Sequence, residues 1–235
     1  MPLSVDAQIV VQRGPAAQTT TSQSTVERHF HVVSVAADGS AIVQLFIDNV
    51  RLSYGFNGGT PIVFDSNKKD QATGEFQKVQ ESIGPRGIVR FSPQGKVLSL
   101  TGGKPDPSTD PSESFLDLLP EKPLHVGDEW SDDIKVKVSV GRGLNQKITL
   151  RRRYILESVD GNVATIRLFT VEIPPAEDPQ IRAQLVQRTP EGTIKFDLER
   201  GLVTSRELTC SRTETGIMEG SGMIAATTHW KGWLR

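Results

Sequence analysis

Apolar and polar residues alternate with a period of two along most of the chain, which predicts strands. Residues 134–140 show this most clearly, because apolar β-branched residues there alternate with Lys and Ser, as in a sheet with one wet face. Looser alternation predicts strands at residues 8–12, 25–35, 41–52, 88–91, 148–156, 163–173, 181–187, 193–197, 202–208 and 223–229. We therefore expect a mainly β fold.

Turn and helix signals lie between these segments. The Asp-Gly pairs at residues 38–39 and 160–161 predict hairpin turns, because Asp-Gly readily adopts the positive φ angles that such turns need. Residues 74–83 predict a short helix, since apolar residues recur there every three or four positions. Residues 112–119 predict a second one, because they begin with a serine cap and end before a proline.

A segment without large apolar side chains divides the chain nearly in half. Residues 101–113 consist of Pro, Gly, Ser, Thr, Asp, Lys and Glu, so they cannot contribute to a core and are expected to form a linker or an exposed loop. This predicts a first β-repeat at residues 1–100 and a second at residues 114–235. We expect the two repeats to form one continuous structure.

The two halves match at three places in the same order, which predicts an internal duplication. The matched segments are residues 28–39 and 152–161, residues 44–46 and 167–169, and residues 87–97 and 192–203. Chance similarity between amphipathic strands is the alternative, and the ordered spacing of aromatic, turn and glycine residues argues against it. We expect an antiparallel curved sheet or half-barrel made of two repeated β-units, with one or two short helices on its concave side.

Composition and charge exclude several classes of protein. The 235 residues carry 27 basic and 28 acidic groups without a basic block, which argues against a nucleic-acid-binding protein. The single cysteine, Cys210, excludes a disulfide framework and multi-cysteine metal sites. No apolar run is long enough to predict a membrane span. The first residues lack the pattern of a signal peptide, so we expect a cytoplasmic protein or a trimmed sequence.

Two histidines are the candidate metal ligands. His29 and His31 lie two apart on a predicted strand, so both imidazoles project from one face, a spacing that some metal sites use. His125 or His229 would be a third ligand only if folding brought it near. The matched half has Arg153 in place of His29. Surface histidines are therefore the favoured interpretation, and we predict neither a metal nor another cofactor.

Catalytic motifs are sparse. Four carboxylates lie at residues 128–133 around Trp130, and paired carboxylates next to an aromatic ring occur in glycoside hydrolases. A solvated turn that leads into the strand at Ile134 explains the same residues, and we favour it. The sequence contains no Gly-x-Ser-x-Gly elbow and no phosphate-binding loop. We interpret Cys210 as a strand residue and not as a nucleophile. The sequence therefore favours a protein without catalytic residues.

Trp130, Trp230 and Trp233 are the candidate contacts for a ligand or partner. Two of them lie within the last six residues of the chain. Indoles at such a place close the open end of a barrel or form a lip for a ligand.

A short motif carries a resemblance to a known family. Residues 119–123 read Leu-Pro-Glu-Lys-Pro, residues 126–130 read Val-Gly-Asp-Glu-Trp, and residues 88–97 read as strand, glycine turn and strand. This pattern resembles uncharacterised bacterial β-rich proteins that are usually exported or lipoprotein-anchored, with a half-barrel similar to that of lipoprotein-carrier domains. The resemblance implies an extracytoplasmic location, in the periplasm or envelope, and no catalytic residues.

Three functions remain open from the sequence. The leading hypothesis is a non-enzymatic β-domain whose concave face binds a lipid or another apolar small molecule, or a partner protein, in the bacterial envelope. The second is a hydrolase that acts on carbohydrate or peptide with convergent carboxylates from the two repeats. The third is a structural module of a larger assembly.

Overall fold

The described chain folds into one antiparallel sheet. The structure is a computed structural model that describes residues 2–68, 74–102, 119–141 and 144–234. These residues form a mainly β fold, and the sheet is open and not closed into a barrel, which confirms the predicted class. The strands are β1 (Pro2–Arg13), β2 (Ala16–Val35), β3 (Ala41–Phe56), β4 (Ile62–Asp65), β5 (Gly84–Phe91), β6 (Val97–Thr101), β7 (Glu129–Gly141), β8 (Leu144–Asp160), β9 (Val163–Ile173), β10 (Glu191–Asp197), β11 (Leu202–Ile217) and β12 (Gly222–Trp233).

Pairing between the first and last strands makes the sheet continuous. The spatial order is β6-β5-β3-β2-β1-β12-β11-β10-β9-β8-β7, and β4 pairs with β3. β1 and β12 pair antiparallel from Leu3–Gly232 to Arg13–Gly222. The two halves of the chain therefore lie in one sheet, with β6 and β7 at its edges. The repeat boundaries at residues 100 and 114 stay predictions.

Both Asp-Gly pairs form hairpin turns, as predicted. The first connects β2 to β3, and Gly39 has a φ of 78°. The second connects β8 to β9, and Gly161 has a φ of 56°. Glycine enters this left-handed region without strain because it has no Cβ. A side chain at either position would strain the turn.

The matched segments of the two halves occupy equivalent places in the sheet. Three aligned cross-strand pairs share their register: Phe30–Leu45 with Tyr154–Leu168, Val43–Val89 with Ile166–Ile194, and Ala41–Phe91 with Ala164–Phe196. Register decides which side chains share a face, so aligned residues lie on corresponding faces. The duplication stays a prediction, and this register supports it.

The first predicted helix is present in short form. A 3-10 turn at Gly74–Phe76 leads directly into α1 (Gln77–Gln80), inside the predicted range of 74–83. The helix predicted at residues 112–119 falls outside the described residues except for its last position. Within the described chain, neither helix reaches the length and hydropathy that crossing a membrane requires.

One predicted strand is wrong. Residues 181–187 were expected to be extended, but α2 (Pro179–Gln184) covers their first half. Asp178 caps this helix, because its side chain accepts a hydrogen bond of 2.8 Å from the N–H of Gln180. Proline at the first helical position adds a pre-set φ angle.

The core lies on one face of β7–β12, which we call the inner face and define by Tyr154 and Leu168. Those two residues are 0% and 2% exposed and belong to one apolar cluster. A second cluster forms where Ile181 and Leu185 pack on the inner side of β7 and β8. α2 therefore packs on the inner face of the second half at β7 and β8. The predicted concave side stays a prediction.

Candidate functional site

Four strands of the first half present an apolar row on the inner face. Val32, Val43, Val89 and Leu100 face one another in register across β2, β3, β5 and β6. We call these four residues the apolar row. Val43 is 9% exposed, whereas Val32 is 55% and Leu100 is 38% exposed. The row is therefore buried at its centre and open to solvent at both ends.

The matching row of the second half is covered by protein. Leu156, Ile166 and Ile194 match the first three residues of the apolar row, and they are 8%, 6% and 1% exposed. All three belong to the cluster around Tyr154. The helices show the same difference in burial between the two halves. α2 buries Ile181, whereas α1 buries none of its residues. Within the described chain, the first half has the more open inner face.

A polar cavity of about 440 Å³ lies in the second half. β9 and β11 both continue past the first residue of β10, which leaves a gap in the sheet. Arg212 on β11 binds Glu172 on β9 across this gap, with 2.7 Å between Nη1 and Oε1. Arg182 on α2 binds Glu214 with 2.7 Å between Nε and Oε2. Each carboxylate is held by an arginine, so these ion pairs connect the elements on the two sides of the gap.

The single cysteine lines this cavity. Cys210 is 2% exposed, and its Sγ–H donates to the carbonyl of Val186 at 3.1 Å. Its Sγ also lies 3.7 Å from Oγ1 of Thr189. The described residues around the cavity include no histidine, which is the usual base that activates a cysteine nucleophile. The geometry fits the interpretation of Cys210 as a strand residue that is not a nucleophile.

The structure places Trp230 in the core and packs the partly buried Trp130 against it. Trp130 stacks on Tyr154 with 5.2 Å between ring centroids, and Trp230 is 2% exposed in the same cluster. Trp233 is half-buried at the end of β12. Trp230 thus fills the core of the sheet, and Trp130 covers part of it. A contact between any of the three and a ligand stays a prediction.

His29 has partners other than a metal. Its Nδ1 lies 2.8 Å from Oδ1 of Asp48, and its ring stacks on Phe46 at 4.6 Å. His31 lies exposed on the same face of β2. Among the residues that the structure describes, no three His, Cys, Asp or Glu side chains gather in a way that could hold a metal ion.

The acidic residues at 128–133 do not form the predicted solvated turn. β7 begins at Glu129, so all but the first of them belong to the strand. Glu129 binds Arg153 at 2.6 Å, and Asp133 binds Arg151 at 2.6 and 2.8 Å. The Arg151 hydrogen bonds lower the pKa of the Asp133 carboxyl. These carboxylates serve in cross-strand ion pairs with β8.

The sequence alone did not predict the apolar row. Val32, Val43 and Val89 lie in predicted strands, but the whole sheet decides which strands are neighbours and in what register they pair. The aligned pairs Val43–Val89 and Ile166–Ile194 are the sequence signal for the row. Apolar residues that align between the two repeats predict an apolar row in each of them. What the sequence does not contain is how much of each row the rest of the chain covers.

Comparisons with known proteins identify a similar fold. No family model matches the chain, and no curated protein matches it. A solved structure concerning lipid-protein interactions in lipovitellin is similar to this chain, with a TM-score of 0.50 and 12% sequence identity. The similarity covers 97% of this chain and 24% of the lipovitellin chain. At this identity the likeness shows the fold alone.

Proposed function

We propose that this protein is a non-enzymatic β-domain that binds an apolar ligand, such as a lipid acyl chain, on the apolar row. The observation that carries the proposal is the difference between the halves. Val32 is 55% exposed, whereas the matching Leu156 is 8% exposed. An acyl chain across the open ends of the row would remove aliphatic surface from water, which contributes about 25 cal/mol per Å² of buried apolar area.

Two other observations support this proposal. The lipovitellin chain with a similar fold was solved in a study of lipid-protein interactions. The shared register of aligned pairs supports a duplicated β-unit. In the second copy the matching row is buried in the cluster around Tyr154, whereas in the first copy the row is open at its ends. A location in the bacterial envelope rests only on the resemblance at residues 119–130.

Titration with cis-parinaric acid, a fluorescent fatty acid, tests the proposal. The wild-type protein should bind the probe saturably. Val32→Glu and Leu100→Glu each place a carboxylate where the acyl chain lies, and we expect at least about tenfold weaker binding. Both positions are exposed, so neither substitution should disturb folding.

Val159→Glu is the matched control. Val159 is 45% exposed and lies near the end of β8, in the second half. This variant adds the same charge to the same residue type and should bind the probe as the wild type does. A wild-type protein without saturable binding would refute the proposal, and so would equal losses in all three variants.

A further inference from the structure

A side chain of α2 occupies one end of the free edge of β7. The Gln184 amide accepts a hydrogen bond of 2.7 Å from the N–H of Ser139 and donates one of 2.7 Å to the carbonyl of the same residue. This amide therefore makes the contacts that a further strand would make. Ser139 thus directs its main-chain groups away from β8.

The rest of this edge has no neighbour among the described strands. β7 is the last strand in the order of the sheet, and its register with β8 is unbroken from Glu129 to Ser139. In an antiparallel pair, every second residue directs its N–H and C=O to the same side. The odd-numbered residues from Ser131 to Lys137 therefore direct theirs outward, as Ser139 does. We call the segment from Ser131 to Lys137 the open edge.

Charge is divided along the outer face of β7. Glu129 and Asp133 lie in the first half of the strand, whereas Lys135 and Lys137 lie in the second half. Neither lysine forms an ion pair with a residue that the structure describes, and Lys137 faces Lys147 directly across the hairpin. Like charges directly opposite each other destabilise a strand pair. The second half of β7 therefore lacks the counter-charge that another acidic strand would supply.

The first half of β7 in a second copy of the chain has that charge. An exposed sheet edge is a template for pairing with another chain. If two copies of β7 run antiparallel, the acidic half of each strand faces the basic half of the other. The charge pattern is thus complementary to itself, as a two-fold symmetric interface requires.

We propose that two copies of this chain pair antiparallel through their open edges. The midpoint of the open edge is Ile134, and a seam centred there places Asp133 opposite Lys135 of the second copy, twice by symmetry. Lys137 then lies diagonally between Glu129 and Asp133 of the second copy. Facing pairs of opposite charge stabilise an antiparallel pair, and the outward main-chain groups of both edges gain partners.

The proposed dimer does not depend on the proposed ligand site. β7 and β6 are opposite edges of the sheet, and the apolar row ends on β6. Gln184 sets the length of the seam, because a longer one would need the main-chain groups of Ser139. The two proposals therefore stand or fall independently.

Sedimentation equilibrium tests the dimer. Between about 10 and 500 µM protein, the average mass should rise from that of one chain toward that of two. Lys135→Glu places two carboxylates opposite each other in the seam and should weaken dimerisation at least about tenfold. Lys195→Glu makes the same change in net charge at an exposed position on β10. This control should dimerise as the wild type does.

A complementary variant separates loss of the seam from misfolding. Asp133→Lys places lysines opposite each other, so this protein alone should also dimerise at least about tenfold more weakly. An equal mixture of Asp133→Lys and Lys135→Glu should associate again, because every facing pair then joins opposite charges. Restored association requires that both variants are folded.

Hydrogen exchange locates the seam. Amides of the open edge should exchange more slowly at high protein concentration than at low concentration, and Lys135→Glu should remove this difference. Any of four results would overturn the proposal: a wild type that stays monomeric up to about 500 µM, equal dimerisation by Lys135→Glu and Lys195→Glu, a mixture of the two complementary variants that stays monomeric, or a dimer that protects β6 and not the open edge.

Discussion

Arg212 connects three parts of the chain at the gap beside β10. Its Nη1 binds Glu172 on β9 at 2.7 Å and donates to Thr189 Oγ1 at 3.2 Å, in the segment that follows α2. Glu172 also accepts a hydrogen bond from the N–H of Ala176 at 3.1 Å. The side chain of Glu172 is only 6% exposed. A buried carboxylate of this kind depends on its arginine, since an uncompensated buried charge is costly.

Removal of the arginine should therefore destabilise the fold. Arg212→Met leaves Glu172 buried without its cation, and we expect a loss of about 2–3 kcal/mol in the free energy of unfolding, measured by urea denaturation. The double variant Arg212→Met with Glu172→Gln should recover part of this loss, because residue 172 then carries no charge that needs a cation. An Arg212→Met protein as stable as the wild type would contradict this role.

Residue-level chemistry was the hardest part to predict from the sequence. Glu172 and Arg212 are 40 positions apart. They meet only because β10, which lies between their strands, does not extend beyond its first residue, Glu191. His29 is a similar case, since Asp48 and Phe46 come beside it through the pairing of β2 with β3. The sequence indicates that these side chains are polar or aromatic, but it does not indicate their partners.

α1 and α2 occupy corresponding places in the two halves, but they contribute differently to the stability of the fold. Each lies in the connection between a matched pair of strands, with α1 between β3 and β5 and α2 between β9 and β10. α2 packs Ile181 and Leu185 onto the sheet, whereas no residue of α1 is buried. Only the second helix should therefore contribute substantially to stability.

Matched truncations test this difference. Ile181→Ala removes a side chain that is 7% exposed, and we expect a loss of about 2–4 kcal/mol in the free energy of unfolding. Val79→Ala makes a similar truncation on α1 and should cost less than about 1 kcal/mol. Urea denaturation measures both. Equal losses would mean that α1 also packs on the sheet.

Strands and turns were largely predictable because their signals are local. Period-two alternation located most strands, and the glycines at 39 and 161 marked two of the hairpins. α2 was misread because a helix of six residues is too short to display its 3.6-residue period. Asp178 followed by proline was the available signal for its start. The strand at 129–133 was missed because acidic residues are common in turns, whereas Glu129 and Asp133 here pair with arginines on β8.

The sheet as a whole depends on the pairing of β1 with β12. Eleven residue pairs join these strands, and Val5 on β1 packs against the cluster that contains Trp230 on β12. Backbone pairing and core packing thus both cross the junction between the halves. A boundary of this kind couples the two halves energetically.

We therefore expect the protein to unfold in one cooperative transition. Far-UV circular dichroism reports on all strands, whereas the three tryptophans report on β7 and β12. Urea curves from the two signals should coincide. A circular dichroism curve with two steps, of which fluorescence follows only one, would show that the halves unfold separately.

At this scale the sequence predicted one continuous antiparallel sheet, and the structure has one. It did not predict which inner face stays open, because coverage depends on how far each helix and loop reaches across the sheet. The difference between Val32 and Leu156 is the result of that coverage, and the proposed ligand site depends on it.

Photo-crosslinking with a diazirine-bearing fatty acid, followed by peptide mass spectrometry, tests the location of the site most directly. If an acyl chain lies on the apolar row, labels should concentrate on peptides that contain Val32, Val89 or Leu100, and an excess of unlabelled fatty acid should remove them. Labels confined to β7–β12, or labels that competition does not remove, would contradict an apolar ligand site on the first half of the sheet.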